Sequence, residues 1–154
     1  MPDLHKLLIF TCYGGCATGV AASKACIRIW EENPDDVKIG CLPAVIVPWK
    51  FKEIVKNSKK RLLIDACAIQ CGMKLFEREG MAIDNYLELT TLLGIKKEKR
   101  LPSKDLEGKV YKVIQKEAIA LIDRSVLNMT RSCHRQPCPS VGQDPPAADF
   151  TEKI

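Results

Sequence analysis

Two short apolar runs in this chain are each followed closely by a pair of cysteines spaced four residues apart. The runs cover residues 7–10 and 62–64, and the pairs are Cys12 with Cys16 and Cys67 with Cys71. Apolar runs of this length, bounded by loop or helix signals, are typical of buried strands in a parallel sheet. The carboxyl ends of parallel strands meet at one edge of the sheet, where open α/β sheets bind their ligands. We therefore expect the two pairs to share one site.

Strand and helix patterns alternate along most of the chain. The predicted strands cover residues 4–10, 37–41, 61–65 and 86–90, and the predicted helices cover residues 16–32, 49–57, 67–79 and 103–124. This alternation predicts an α/β fold with a mainly parallel four-stranded sheet in a three-layer, Rossmann- or flavodoxin-like arrangement. In the flavodoxin-like strand order 2-1-3-4, the first and third strands are neighbours, and a crevice opens between their carboxyl ends. Cys41, at the end of the second strand, would lie beside that crevice.

The chain is long enough for one domain with its own hydrophobic core. We predict a cysteine-rich α/β domain over residues 1–125. Beyond it, four prolines interrupt any helical or strand periodicity, so residues 126–154 are predicted to form a flexible tail. The tail carries Cys133, His134 and Cys138, which leave open a separate metal-binding or redox segment, although a flexible tail is the preferred interpretation.

Cysteine usage and charge limit the class of protein. No apolar leader opens the chain and no apolar run approaches the ~20 residues that span a bilayer, so we expect a cytosolic protein without a membrane partner. In that reducing compartment, eight cysteines favour metal binding or catalysis over structural disulfides. The net charge of +5 is concentrated in residues 50–61 and 96–100. We interpret these lysines as a solvated surface, with docking of an anionic partner as the alternative. No nucleic-acid-binding motif accompanies them, so nucleic acid is not an expected partner.

The spacing of each cysteine pair suits more than one chemistry. If a pair lies in a helical turn, its β-carbons are roughly 5–6 Å apart on one face. The two sulfurs then converge readily on one zinc ion at a Zn–S distance of about 2.3 Å. A helix N-terminus also lowers a thiol pKa, and the thiolate both binds metal and attacks electrophiles.

Three functions therefore remain open. The first is zinc binding by Cys12, Cys16, Cys41, Cys67 and Cys71. The second is a thiol redox or sulfur-transfer enzyme, with the first cysteine of a pair as nucleophile and the second as resolving thiol, and with a small-molecule or sulfur-containing ligand. The third is an iron–sulfur cluster, which four convergent thiolates also suit.

Three features near the cysteines also point to the site. Asp65 directly precedes the second turn, and we expect it to orient a metal ligand, to act as a general base, or to cap the following helix. Gly14, Gly15 and Thr18 are a possible anion-binding nest, although a tight turn that brings backbone close to the thiols is the preferred interpretation. Cys26, within the first helix, is predicted to be part of the core.

These features resemble the DGC-domain family, for which zinc binding is inferred from the cysteine pattern. The resemblance covers roughly residues 7–124 and rests on the Cys-x-Gly-Gly turn, the second strand ending in cysteine, and the segment Ile64-Asp65-Ala66-Cys67-x-x-x-Cys71. Ala66 replaces the glycine of the Asp-Gly-Cys motif that names the family. The resemblance implies a zinc site formed by Cys12, Cys41, Cys67 and Cys71. Cys16 stands where the family often has serine or another small residue, so it would be an additional thiol.

Overall fold

The computed structural model of the chain describes residues 6–47 and 50–127. Within these residues the chain forms strands, α-helices and one short 3-10 helix (Leu42–Val45). The strands are β1 (Leu7–Thr11), β2 (Val37–Gly40), β3 (Arg61–Asp65) and β4 (Asn85–Glu88). The helices are α1 (Ala17–Glu32), α2 (Lys50–Asn57), α3 (Cys71–Arg78), α4 (Leu89–Leu93) and α5 (Lys104–Leu127).

The four strands form one parallel sheet in the order β2-β1-β3-β4, which confirms the predicted topology. Thr11, the last residue of β1, lies opposite Ile64 of β3, so these two central strands end almost level. Because the strand order reverses between β1 and β3, the loops that follow them border the switch point of the sheet. Among the cysteines of the described residues, all except Cys26 lie in segments that follow a strand at this carboxyl edge.

Helices cover both faces of the sheet and bury it in two cores. Every residue of β1 is buried, and its side chains alternate between the faces. Leu7 and Ile9 pack with α1 and α5, whereas Leu8 and Phe10 pack with α2 and α3. Alternate residues of a strand point to opposite faces, so a continuous apolar strand must be covered on both sides. The predicted three-layer arrangement is therefore confirmed. Cys26, a residue of α1, lies fully buried in the core, as expected.

Side-chain hydrogen bonds set two element boundaries, one of which differs from its prediction. Strand β4 ends at Glu88 and not at residue 90, because the Glu88 carboxylate accepts the backbone N–H groups of Thr90 and Thr91 and starts α4. Helix α5 begins after Ser103, as predicted, and the Ser103 Oγ accepts the N–H of Leu106 at 3.2 Å. These caps satisfy donors that the first turn of a helix otherwise leaves free.

The two ends of the chain fall only partly within the structure. The first predicted strand begins at residue 4, and residues 1–5 lie outside the described part. Helix α5 continues to Leu127, two residues beyond the predicted end of the domain. The predicted tail beyond that helix, with Cys133, His134 and Cys138, lies outside the described residues. In the described part of the chain, no helix combines the length and the apolar composition needed to span a membrane.

Candidate functional site

Cys12 lies at the centre of the carboxyl edge, where β1 ends. Its backbone N–H donates to the Ile64 carbonyl of β3 at 3.1 Å, which ties the start of the loop to the neighbouring strand. Its half-buried thiol lies near the backbone of Gly14, in its own loop, and of Ala66, in the loop after β3. The Cys12 sulfur therefore lies between the two loops that border the switch point.

The surroundings of Cys12 act on its charge in opposite directions. Burial raises the pKa of the Cys12 thiol, and the negative charges of Cys71 and Asp65 raise it further. The hydrogen bonds from Gly14 and Ala66 oppose the shift, but the net pKa remains raised. The pKa of Cys12 is raised because this residue lies in a loop before the helix and loses solvation there.

Cys16 returns to Cys12 through a tight glycine turn. The Cys16 N–H donates to the Gly14 carbonyl at 2.9 Å, and Cys16 itself has extended backbone just before α1. A β-carbon placed on Gly14 would lie 3.3 Å from the Cys12 Sγ and 3.9 Å from the Cys16 Sγ. Both sulfurs thus lie close to Gly14. Neither cysteine lies in a helical turn, so the geometry of two sulfurs on one helical face does not apply to this pair.

Two of the N–H groups at the start of α1 already have backbone acceptors. The Cys16 N–H is bonded to Gly14, and the Ala17 N–H donates to the Glu98 carbonyl at 2.8 Å. The Thr18 hydroxyl lies 3.3 Å from the buried Cys16 sulfur. These contacts favour the tight-turn interpretation of the glycines, while an anion site at Gly14, Gly15 and Thr18 stays a prediction.

Asp65, at the end of β3, caps α3 from outside the helix. Its fully buried carboxylate accepts the N–H of Gly72 at 2.8 Å and the N–H of Met73 at 2.9 Å. It also accepts the Tyr86 hydroxyl at 3.1 Å. The carboxylate therefore caps the N-terminus of α3. The capping role of Asp65 is confirmed, and its role towards a metal ligand stays a prediction.

The second cysteine pair is divided between a turn and a helix. The predicted helix over residues 67–79 begins only at Cys71, because Gln70 has a left-handed backbone (φ 57°) and breaks the helical path. Cys67 is buried in the preceding turn, whereas Cys71 is the exposed first residue of α3. The expectation that Cys67 and Cys71 share one helical face is therefore wrong. Cys41 is exposed at the end of β2.

A family model of the DGC domain matches residues 8–117, more than half of the 154-residue chain. The chain belongs to the DGC domain family. No curated protein and no solved structure shows significant similarity to it. Membership of this family suggests metal binding as the general function of the DGC domain.

The cysteines of this DGC domain are suitable ligands for a thiophilic metal, but the described side chains are not grouped closely enough to hold one. Five sulfurs from three loops at one sheet edge are ligands of the kind that zinc prefers. Across residues 6–47 and 50–127, however, no three His, Cys, Asp or Glu side chains are grouped closely enough to hold a metal ion. Coordination by four sulfurs would therefore require some of the cysteine-bearing segments to move closer together.

Two residues that support the site in this DGC domain were not identified from the sequence. Gly72 is one, because a β-carbon there would lie 2.9 Å from both the Asp65 Oδ1 and the Leu63 Cδ1. Tyr86 is the other, since its hydroxyl reaches Asp65 from the neighbouring strand. Once the order of β3 and β4 is predicted, a tyrosine on the strand beside Asp65 is a recognisable partner for the carboxylate.

Ion pairs offset much of the basic surface of this DGC domain around α2. Lys52 pairs with Glu79 at 2.8 Å, and Lys60 pairs with Asp84 at 3.1 Å. Lys56 lies 3.4 Å from Glu53 within the helix. These pairs favour the interpretation of a solvated surface, and docking of an anionic partner there remains the alternative.

Proposed function

We propose that this cytosolic DGC domain binds one zinc ion through cysteine thiolates at the carboxyl edge of its sheet. The proposed ligands are Cys12, Cys41, Cys67 and Cys71, with Cys16 as an additional sulfur. The observation that carries the proposal is the position of the Cys12 sulfur between the loops after β1 and β3, within the electrostatic influence of Cys71. Thiolates at the switch point of an open α/β sheet are placed where such folds bind ligands.

Zinc binding would couple to both proton release and loop closure. Cysteine binds zinc as the thiolate, so a thiol that is protonated in the free protein must lose its proton on binding. Some of the segments that carry the proposed ligands must also move closer together. Four sulfur ligands would form a closed, structural centre, whereas three would leave one coordination position for water or a substrate.

Metal analysis and thiol titration of anaerobically purified full-length protein test this proposal. We expect about one zinc per chain, with four or five thiols protected from a thiol reagent until the protein is denatured. Replacement of Cys67 by alanine should release the metal. Replacement of the core residue Cys26 by alanine is the matched control and should leave the zinc content unchanged.

Other results of the same experiment would contradict the zinc proposal. Protein that carries no metal, and whose thiols at the sheet edge pair reversibly, would support the redox function. Brown protein that contains iron and inorganic sulfide would indicate an iron–sulfur cluster on the same thiolates.

A thiol redox function is the second candidate, because the Cys12 and Cys16 sulfurs both lie close to Gly14. A peroxide would oxidise the half-buried Cys12 thiolate to a sulfenic acid, and one oxygen atom of the peroxide would leave as water. The buried Cys16 thiol would then attack that sulfur, and a disulfide and a second water would form. Mass spectrometry should show the loss of two hydrogens, reversed by dithiothreitol. In Cys16→Ala, oxidation should stop at the sulfenic acid. The absence of any disulfide in the native protein after peroxide treatment would exclude this function.

A further inference from the structure

The loop after β3 and the start of α3 are held by one buried hydrogen-bond network. We infer that Tyr86 is a positioning residue that acts through Asp65 to hold the first turn of α3, so that Cys71 is presented towards Cys12. The expected effect of Tyr86 on zinc binding rests on the proposed function. The expected effect of Tyr86 on the start of α3 does not.

The network converges on the Asp65 carboxylate, which is only 1% exposed. One oxygen accepts the Gly72 N–H, and the other accepts both the Met73 N–H and the Tyr86 hydroxyl. A buried carboxylate needs such donors to offset its lost hydration. Because Cys71 directly precedes Gly72, these bonds determine where Cys71 begins the helix.

Close packing leaves the start of α3 little freedom to move towards β3. A β-carbon on Gly72 would be only 2.9 Å from Leu63 in β3, as well as from the carboxylate. Glycine at this position therefore lets the helix approach the strand closely enough for two N–H groups to reach Asp65. The helix start is thus held by both packing and hydrogen bonds.

Tyr86 connects this carboxylate to the turn on the other side of Cys71. Its hydroxyl donates to Asp65 and also interacts with the Gln70 side chain. Burial and the Asp65 charge raise the pKa of Tyr86 well above its ordinary value, which keeps the hydroxyl protonated as a donor. Gln70 lies immediately before Cys71 and has the left-handed backbone that ends the turn. The network therefore contacts the residues on both sides of Cys71.

Two measurements on Tyr86→Phe test the inference, because this change removes the hydroxyl and keeps the ring. Amide hydrogen exchange at Gly72 and Met73 should become about 10-fold faster or more, as expected when a hydrogen bond to a charged group is weakened. Zinc affinity, measured by competition with a chromogenic chelator, should fall about 10- to 100-fold, as for the loss of other groups that orient metal ligands. Amides of α5 should exchange at the native rate in this variant.

Two further variants make the result specific. Tyr111→Phe is the matched control, because the Tyr111 hydroxyl donates to Glu32 at the α1–α5 surface on the other side of the sheet. It should change neither zinc affinity nor exchange at Gly72. Asp65→Asn, which removes the charge, should have effects at least as large as those of Tyr86→Phe.

The two measurements separate this inference from the proposed function. Unchanged exchange at Gly72 and Met73 in Tyr86→Phe would overturn the inference. Faster exchange with native zinc affinity would also overturn it, since the helix start would then not position a ligand. If the native protein binds no zinc, the proposed function fails, and the exchange rates alone then support or overturn the hold of Tyr86 on α3.

Discussion

Replacement of Gly19 by alanine should destabilise the protein, whereas the same change at Gly108 should stabilise it. Both glycines lie within helices, so alanine gains about 1 kcal/mol of helix propensity at each position. A β-carbon on Gly108, in α5, would meet nothing within 4 Å, and that gain is retained. A β-carbon on Gly19, in α1, would lie 2.5 Å from the Gly14 carbonyl oxygen and 3.1 Å from its nitrogen.

The close approach of Gly19 to Gly14 determines how much the free energy of unfolding should fall in Gly19→Ala. Overpacking of a filled site costs about 1–3 kcal/mol, and the upper part of that range applies because the contact is with backbone. After the helix-propensity gain, the net loss at Gly19 is about 2 kcal/mol. The two variants should therefore differ in the free energy of unfolding by about 3 kcal/mol.

Urea unfolding followed by far-ultraviolet circular dichroism measures this difference. With a denaturant slope of about 1–3 kcal/mol/M, the two midpoints should differ by roughly 1–3 M. The relief of the contact should also displace the turn that places Cys12 and Cys16 beside Gly14, so zinc content should fall in Gly19→Ala alone. A Gly19→Ala protein as stable as Gly108→Ala would refute the close packing of this turn against α1.

Three further substitutions test particular contacts. Burial raises the pKa of Cys26 to about 12, so its stabilising contribution is intact below about pH 8.5 and is lost as the pH rises towards 12; urea unfolding of Cys26→Ala should therefore depend less on pH in that range. Ser103→Ala should cost about 1 kcal/mol in thermal unfolding, because the cap on Leu106 is lost, and an unchanged Tm would contradict this. Thr11→Val should stabilise by about 1 kcal/mol, since the buried Thr11 hydroxyl has no hydrogen-bond partner among the described residues, and a lower urea midpoint would contradict this.

The parallel sheet could be predicted because its signals are local and repeated. Apolar runs such as residues 62–64 can be buried on both faces only in a sheet covered by helices, and the helices between strands require parallel pairing. The boundary at β4 could not be predicted in the same way. The alternating pattern continues to residue 90, but the Glu88 carboxylate caps the next turn and converts the last two of these residues into helix. A side-chain bond thus overrides strand periodicity at that point.

The location of the candidate site was predictable, but its internal geometry was not. Cysteines that follow parallel strands must lie at the carboxyl edge, and the strand order places Cys12 beside the β3 loop. The position of each sulfur depends on contacts that spacing does not reveal. The Asp65 carboxylate caps α3 from β3, and the left-handed Gln70 delays the helix until Cys71. A spacing of four residues between cysteines therefore does not amount to one helical turn in either pair.

The two cysteine pairs are alike in sequence but different in structure, and we expect different chemistry of them for that reason. The Cys12 and Cys16 sulfurs both lie close to Gly14 in one turn, so we expect these two to bond on oxidation. Cys67 and Cys71 are separated into a buried turn and an exposed helix start. Of these two, Cys71 lies near enough to contribute to the raised pKa of Cys12, across the boundary between β1 and β3. A metal ion would therefore connect the two loops through Cys12 and Cys71, whereas an oxidant would connect Cys12 to Cys16. Zinc and the Cys16 sulfur would compete for the same Cys12 sulfur. Bound zinc should therefore protect the protein from formation of the Cys12–Cys16 disulfide.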